Sequence, residues 1–183
     1  MRSKIARLIG ILYLALPALA QSGEFKIGIF AIEIPSRYEG PTISSPDRRI
    51  QVYLFSVAPQ GQEEMNALQI ILQESTTAGY QATGAEKADV CRQLLSKMIL
   101  SVERRRSAFK RTELEQMALD GLPAIEASWT GKLGELETNG TLFCVPSGPD
   151  MVLFHATGSG SSPSSDTRDA IRAIGLIRRS VNH

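Results

Sequence analysis

Extended segments follow one another along this chain, and only two stretches show the three- and four-residue apolar spacing of a helix. The order is strands, one long helix, several more strands and a last helix. Consecutive strands can pair through short turns, whereas a parallel sheet needs a helix between successive strands. We therefore predict an α+β fold, with an antiparallel β-sheet flanked by a long mid-chain helix and a C-terminal helix.

The first half of the chain contains several predicted extended segments. In residues 25–34 the apolar alternation changes phase, so we expect a bulge or tight reversal near Gly28. Residues 36–49 are rich in Pro, Ser, Gly and charge, and are predicted to form a long loop. Residues 50–58 are apolar on both faces, which favours a central strand covered on both sides. Residues 67–76 favour a strand, although the apolar spacing over residues 62–73 also fits a helix.

Two helices are predicted from their start signals and apolar stripes. Thr83 and Glu86 form a capping-box pattern before a helix over residues 84–106. Ser165 can cap a second helix over residues 166–178. The stripes that would pack on the sheet are Val90, Cys91, Leu94, Leu95, Met98, Ile99 and Val102 in the first helix, and Ala170, Ile171, Ile174 and Ile177 in the second.

Between the helices, the composition predicts a run of antiparallel strands. Residues 109–119 are predicted to be extended, although their apolar pattern is weak. Residues 120–123, Asp-Gly-Leu-Pro, are a turn by composition. Residues 124–130 alternate as a half-buried strand. Residues 141–145 and 151–156 are predicted to form a hairpin with a five-residue connection.

The dipeptide Asn139-Gly140 leaves two interpretations open. It is a frequent hairpin turn, which would pair residues 133–138 with residues 141–145. Alternatively, it forms a bulge within one long strand.

The N-terminus has the three-part order of a secretory signal peptide. Three basic residues precede an apolar run, and the small-residue triplet Ala18-Leu19-Ala20 follows it. The apolar stretch Leu8–Leu19 has 12 residues, which is short of the roughly 20 that a membrane-spanning helix needs. We predict cleavage between Ala20 and Gln21, which leaves residues 21–183 as a single α+β domain in the periplasm or outside the cell.

Charge and hydropathy limit the partners of this mature chain. It would keep 17 basic and 19 acidic side chains, because three of the 20 basic residues lie in the leader, and its formal net charge would be −2. A nucleic-acid binder normally carries a strong basic excess, so no nucleic-acid partner is predicted. No second long apolar segment occurs, so the cleaved protein is not expected to be an integral membrane protein.

Two cysteines, Cys91 and Cys144, remain after cleavage. An oxidising compartment favours a disulfide between them, with two buried free thiols as the alternative. A structural metal site needs four ligands, and the chain has two histidines, His155 and the terminal His183. Neither a metal nor a cofactor is therefore predicted.

Groups suited to catalysis are scarce. His155 lies in an apolar segment and is interpreted as a structural strand residue. The Gly/Ser-rich stretch 158–165 lacks the lysine of a phosphate-binding loop, so we interpret it as a connector. The acidic pairs Glu63-Glu64 and Glu135/Glu137 are interpreted as solvated side chains. We predict no catalytic residue, with a hydrolase that pairs a serine with His155 as the alternative.

Five residues are candidates for contact with a partner. Arg104, Arg105 and Arg106 form a cluster at the end of the long helix, which suits either a solvated helix end or an acidic partner. Tyr38 and Tyr53 are candidate contacts for a small ligand or peptide.

A set of short structural features extends over nearly all of the mature chain. It consists of Phe30–Ile34 followed by Pro35 and Tyr38, the long helix, and the turn at 120–124 leading into Ile125–Trp129. A hairpin and a last helix complete it. In this order the chain resembles the PsbP-like superfamily, the Mog-type α/β/α sandwich, and its exported bacterial relatives of undefined role. The resemblance implies a non-enzymatic accessory, scaffold or partner-binding protein, and brings no catalytic motif with it.

The missing catalytic groups and this resemblance predict the same function. We expect an exported, non-enzymatic accessory or binding protein that acts through contacts with a protein or a small ligand. A carrier of apolar ligands is a further alternative, and the oligomeric state stays open.

Overall fold

A large antiparallel sheet covered on both faces forms the centre of the protein. The structure is a computed structural model and describes residues 23–57, 66–75 and 83–179. The strands before the first helix are β1 (Gly23–Ile27), β2 (Phe30–Ile34), β3 (Tyr38–Asp47), β4 (Ile50–Val57) and β5 (Ala67–Gln73). The first helix is α1 (Gly84–Glu103). It is followed by β6 (Ser107–Arg111), β7 (Glu115–Leu119), β8 (Leu122–Leu133), β9 (Leu136–Ser147), β10 (Asp150–Ser159), α2 (Ser165–Gly175) and β11 (Arg178–Arg179).

The strands pair in two sheets, and every pairing is antiparallel. The large sheet has the order β3-β4-β5-β10-β9-β8, and both β6 and β7 pair with the outer edge of β8. The small sheet has the order β1-β2-β11. The prediction of an α+β fold with an antiparallel sheet and two helices is confirmed.

The two faces of the large sheet are covered by different elements. Helix α1 packs on β8 and β9 from one side, whereas α2 packs on β10 and β5 from the other. The small sheet shares this second side, because its residues Phe30 and Ile32 join the same core as Phe143 of β9 and Ile174 of α2. The α2 side therefore contains a sheet as well as a helix.

The central strands are apolar on both faces because both faces are buried. Along β9, Leu142 and Cys144 point to the core beneath α1, while Phe143 and Val145 point to the core beneath α2. Continuous apolar runs of this kind are typical of strands covered on both sides. The hairpin predicted from residues 141–145 and 151–156 is confirmed as the pair β9 and β10. Its turn contains two residues, Gly148 and Pro149, rather than five.

The expected loop over residues 36–49 is wrong, because most of this segment forms strand β3. Tyr38 is the one buried residue of β3, whose other residues are exposed. The strand lies at an edge of the large sheet and pairs only with β4. Prolines are tolerated on such an edge, and a strand that faces water shows no apolar alternation. Composition therefore indicated a loop.

Strand β4 is also less covered than predicted. One face carries the buried residues Phe55 and Val57, but Leu54 on the opposite face is 40% exposed. The reason is the position of α1, which packs on β8 and β9 and does not extend over β4.

The hairpin predicted at Asn139-Gly140 is wrong, and the alternative of one long strand is correct. Both residues lie inside β9, and the turn before it is at Gly134-Glu135, where Gly134 has a φ of +64°. No bulge is present, since the pairing with β8 keeps its register through the dipeptide. Gly140 is needed there because a Cβ would lie 2.6 Å from the ring of Trp129.

The ends of the helices follow their capping residues. The capping box of α1 is confirmed, with the Thr83 N–H donating to Glu86 at 2.7 Å. Helix α2 is capped by Ser164, one residue before the expected Ser165. The phase break near Gly28 is a tight reversal between β1 and β2, with Gly28 at a φ of +55°. Of the helices in the described ranges, neither is long and apolar enough to cross a bilayer.

The disulfide between Cys91 and Cys144 is confirmed and buried. Its sulfur atoms are 2.03 Å apart, and both residues are 0% exposed. A disulfide is typical of proteins in oxidising compartments. The predicted leader and its cleavage between Ala20 and Gln21 lie outside the described residues and stay predictions.

We predict that the double variant Cys91→Ala/Cys144→Ala is less stable than the native chain by about 2–4 kcal/mol. The bond closes a loop with a sequence separation of 53, and a loop of that length restricts the unfolded chain strongly. Urea unfolding of the oxidised native chain and of the variant at the same pH measures the difference. Midpoints that coincide would contradict the prediction.

Candidate functional site

A groove lies where the first half of α1 passes over the start of β8 and the end of β9. Its volume is about 490 Å³, which is in the usual range of small-molecule sites. The apolar side chains that line it include those of Ile29, Ala88, Leu122, Ala124, Ile125 and Pro146. We call this feature the apolar groove.

The Cys91–Cys144 disulfide lies among the lining residues of the apolar groove. Cys91 belongs to the buried stripe of α1, together with Leu95 and Ile99. Cys144 belongs to β9, next to Ile125 of β8 in the pairing register. The bond therefore holds the helix and the sheet together at the position where the groove forms.

The charged lining residues of the apolar groove, within the part of the chain that the structure describes, are both basic. Lys87 is half-buried on the first turn of α1, and Arg179 is exposed on β11. Neither forms an ion pair with a described residue. Glu86 is adjacent to Lys87 in sequence, but its carboxylate accepts hydrogen bonds from the N–H and hydroxyl of Thr83, at 2.7 and 2.9 Å. Lys87 and Arg179 are therefore the charged side chains that the described residues place in the lining, with the Glu86 carboxylate next to Lys87 on the first turn of α1.

A second polar cluster, formed by Arg106, Trp129 and His155, is buried beneath the end of α1. The Trp129 indole N–H donates to Nε2 of His155 at 3.2 Å. The guanidinium carbon of Arg106 lies 4.3 Å from the centre of the Trp129 ring, a cation–π contact. Arg106 also donates from Nε to the hydroxyl of Thr138 at 3.1 Å. The cluster is therefore held by contacts within the protein.

The environment of His155 keeps its imidazole neutral. Burial, and secondarily the positive charge of Arg106, lower the pKa of His155 from 6.5 to about 3. Its Nε2 already accepts the Trp129 proton. A general base must reach a proton of the substrate or nucleophile through a free lone pair, and Nε2 of His155 has none to offer.

The three arginines that are adjacent in sequence separate in the structure. Arg104 and Arg105 are exposed at the end of α1, which stops at Glu103. Arg106 instead turns under the helix to the Trp129 ring. The cluster therefore reduces to two surface cations, and their contact with a partner stays a prediction.

Tyr38 does not have the surface position expected of a contact residue. It is 7% exposed, and its hydroxyl donates to the backbone carbonyl of Asp166 at 3.1 Å. Burial raises the pKa of Tyr38, and the nearby carboxylates of Asp166 and Asp169 add to this. Arg37 forms an ion pair of 2.7 Å with the buried Asp166 carboxylate. These contacts fix the start of α2 on β3, so Tyr38 is part of the core.

Tyr53 is half-buried on β4, beneath the small sheet. Its ring packs edge-on against Phe25 of β1, with 5.0 Å between ring centres. Its hydroxyl donates to Oε1 of Gln51 at 2.6 Å. Neither tyrosine lines the apolar groove.

Two features of the structure were not found from the sequence. The lining of the apolar groove comes from segments between Ile29 and Arg179, so no local motif marks it.

Glu115 and Glu126 are also directly opposite each other on β7 and β8. Burial raises the pKa of Glu126, and the Glu115 charge adds to this. Neither glutamate lines the apolar groove, and the described residues contain no group of three side chains suited to a metal ion.

No protein-family model matches this chain, and comparison with curated proteins gives no match either. Among solved structures, the chain is similar to a protein of unknown function, PA94 from Pseudomonas aeruginosa. The similarity covers 82% of this chain and 89% of that chain, with 12% identity and a TM-score of 0.38. A likeness of this size supports no argument about function. The resemblance to the PsbP-like superfamily therefore stays a prediction.

We predict that His155 makes the protein less stable as the pH falls below about 6. The unfolded chain binds a proton near pH 6.5, whereas the folded protein resists protonation down to about pH 3. The free energy of unfolding should therefore decrease by up to about 1.4 kcal/mol per pH unit across this window. Urea unfolding between pH 7 and pH 4 measures this slope.

The control for this experiment is the variant His155→Gln. The glutamine carbonyl can still accept the Trp129 proton, but it does not titrate in this range. Carboxyl groups contribute equally to both proteins, so the difference between the two pH profiles isolates His155. Parallel profiles would show that His155 is not the group responsible.

Proposed function

We propose that the protein is an exported, non-enzymatic binding protein that holds a small ligand in the apolar groove. The observation that carries this proposal is the groove itself, which combines about 490 Å³ of space with mainly apolar lining residues and two basic side chains. Concave, mostly apolar sites with a few polar groups are typical of small-molecule binding. Of the functions considered from the sequence, this is closest to the carrier of apolar ligands.

The state of His155 supports binding rather than hydrolysis. A hydrolase that pairs a serine with His155 would need the imidazole to accept the serine proton. Nε2 of His155 instead accepts the proton of Trp129, and burial keeps the ring from ionising. His155 is also absent from the lining of the apolar groove.

The buried disulfide supports an extracytoplasmic location. Thiols in the cytosol are kept reduced, whereas the periplasm and the exterior allow a bond such as Cys91–Cys144 to persist. The leader predicted before Gln21 would deliver the chain there.

We predict that protein purified from its native host begins at Gln21. N-terminal sequencing of the material from the extracytoplasmic fraction tests this directly, with a known cytoplasmic protein as the fractionation control. Recovery of a chain that retains residues 1–20 in the cytoplasm would contradict the export part of the proposal, and would leave the groove part in place.

We predict that Ala88→Phe weakens binding of a neutral apolar probe, N-phenyl-1-naphthylamine, by about tenfold or more, a loss of about 1.4 kcal/mol. Ala88 lines the apolar groove, so a phenyl ring there would occupy the space of the ligand. Fluorescence titration of the full chain measures the dissociation constant.

The matched control is Val90→Phe, which adds a ring to the same helix. Val90 is 40% exposed and does not line the apolar groove. We expect this variant to bind the probe as the native chain does. Thermal unfolding confirms that both variants are folded. Equal binding by the folded Ala88→Phe variant, or no binding by the native chain, would contradict the proposal.

A further inference from the structure

We infer that the ligand of the apolar groove is a small amphipathic carboxylic acid with a single apolar chain. The chain would lie against Ala88, Leu122 and Ile125, and the carboxylate would be held by Lys87 and Arg179. This inference rests on the proposed function and adds the chemical class of the ligand.

The charge of the lining distinguishes this groove from its neighbour on the α2 side. That second groove, between β2 and α2, is lined by Glu24, Glu33 and Asp169 as well as by Arg172 and Arg178. Its cations therefore have acidic neighbours. Among the described residues, the apolar groove is lined by Lys87 and Arg179 and by no acidic side chain. An anionic group would be attracted to the apolar groove and would meet repulsion as well as attraction in the other.

The two cations reach the apolar groove from separate elements. Lys87 is carried by α1, and Arg179 is carried by β11, which pairs with Phe30 of β2. A half-buried lysine packs its methylene stem on apolar surface and keeps its ammonium at the rim. An arginine offers two parallel N–H groups that match a carboxylate. Both side chains therefore suit the head of a ligand whose body lies deeper in the groove.

The rest of the lining favours a carboxylic acid over other ligand classes. A neutral apolar ligand would cover part of Lys87 and leave its charge without a partner, which costs free energy and weakens its binding. A sugar or a phosphate ester needs several hydroxyl or amide groups around it, and Gln116 is the one uncharged polar side chain among the described lining residues. A ligand with one carboxylate on an apolar chain matches both the two cations and the apolar lining of the groove.

The test compares two probes that differ only in their head group, decanoate and 1-decanol. Isothermal titration of the full chain at pH 7 and low salt gives both dissociation constants. We expect decanoate to bind about tenfold more tightly than decanol, as two partly exposed ion pairs would provide. The advantage should shrink as the salt concentration rises.

Variants then test whether the tighter binding of decanoate comes from the two cations, Lys87 and Arg179. Lys87→Gln/Arg179→Gln should bind both probes with equal affinity, at the affinity of native protein for decanol. Lys97→Gln is the matched control, because Lys97 is an exposed cation of α1 that does not line the apolar groove. It should keep the native preference for decanoate.

The outcomes separate this inference from the proposed function. Equal affinity of native protein for the two probes would overturn the carboxylate assignment and leave the groove as a binding site. If the native chain bound none of the three probes, decanoate, decanol and the neutral naphthylamine, the proposed function itself would be overturned. A short apolar peptide with a free C-terminal carboxylate is a further probe. Binding of this peptide without binding of decanoate would replace the small acid with a peptide partner.

Discussion

The pairing of β5 with β10 is the contact on which the rest of the fold depends. Strands β3–β5 form one run of neighbouring strands and β6–β10 form another, and this pairing joins them into a single sheet. It places β10 and β9 in the middle, where both of their faces must be buried. Helix α1 connects the two runs and covers one face, so α2 and the small sheet are left to cover the other. A pairing between segments so far apart in sequence forms at a high entropic cost, and the two cores that it creates offset this cost.

The central position of β10 also decides the role of its one histidine. His155 is buried in a strand that is covered on both faces, so its imidazole needs a hydrogen-bond partner within the protein. It finds one in Trp129, which lies two strands away on β8. The Trp129 ring requires a glycine at position 140, on the strand between them, and the Arg106 guanidinium packs on the same ring. Trp129 therefore connects the buried imidazole with both Gly140 and Arg106.

Sequence patterns predicted the elements whose stabilising contacts are local or whose faces are uniformly apolar. The capping box at Thr83 and the stripe of α1 are local signals, and the central strands contain long apolar runs such as Leu142–Val145. The patterns failed at β3, where an exposed edge strand has no apolar periodicity. They also failed at Asn139-Gly140, because a packing requirement of Trp129, not a turn, explains the glycine. A contact between residues that are distant in sequence produces no pattern in the residues next to either of them.

The site was less predictable than the fold for the same reason. Three adjacent arginines indicated one charged surface, but the aromatic ring of Trp129 removes Arg106 from it. The apolar groove, in contrast, brings together Lys87 and Arg179, which are half of the chain apart in sequence. The link between them is structural: the Cys91–Cys144 bond fixes α1 on β9 beside the groove, and β11 places Arg179 at its border. Reduction of that bond would loosen the wall that carries Lys87. The proposed binding site would therefore depend on an oxidising environment, which connects the proposed location of the protein with its proposed ligand.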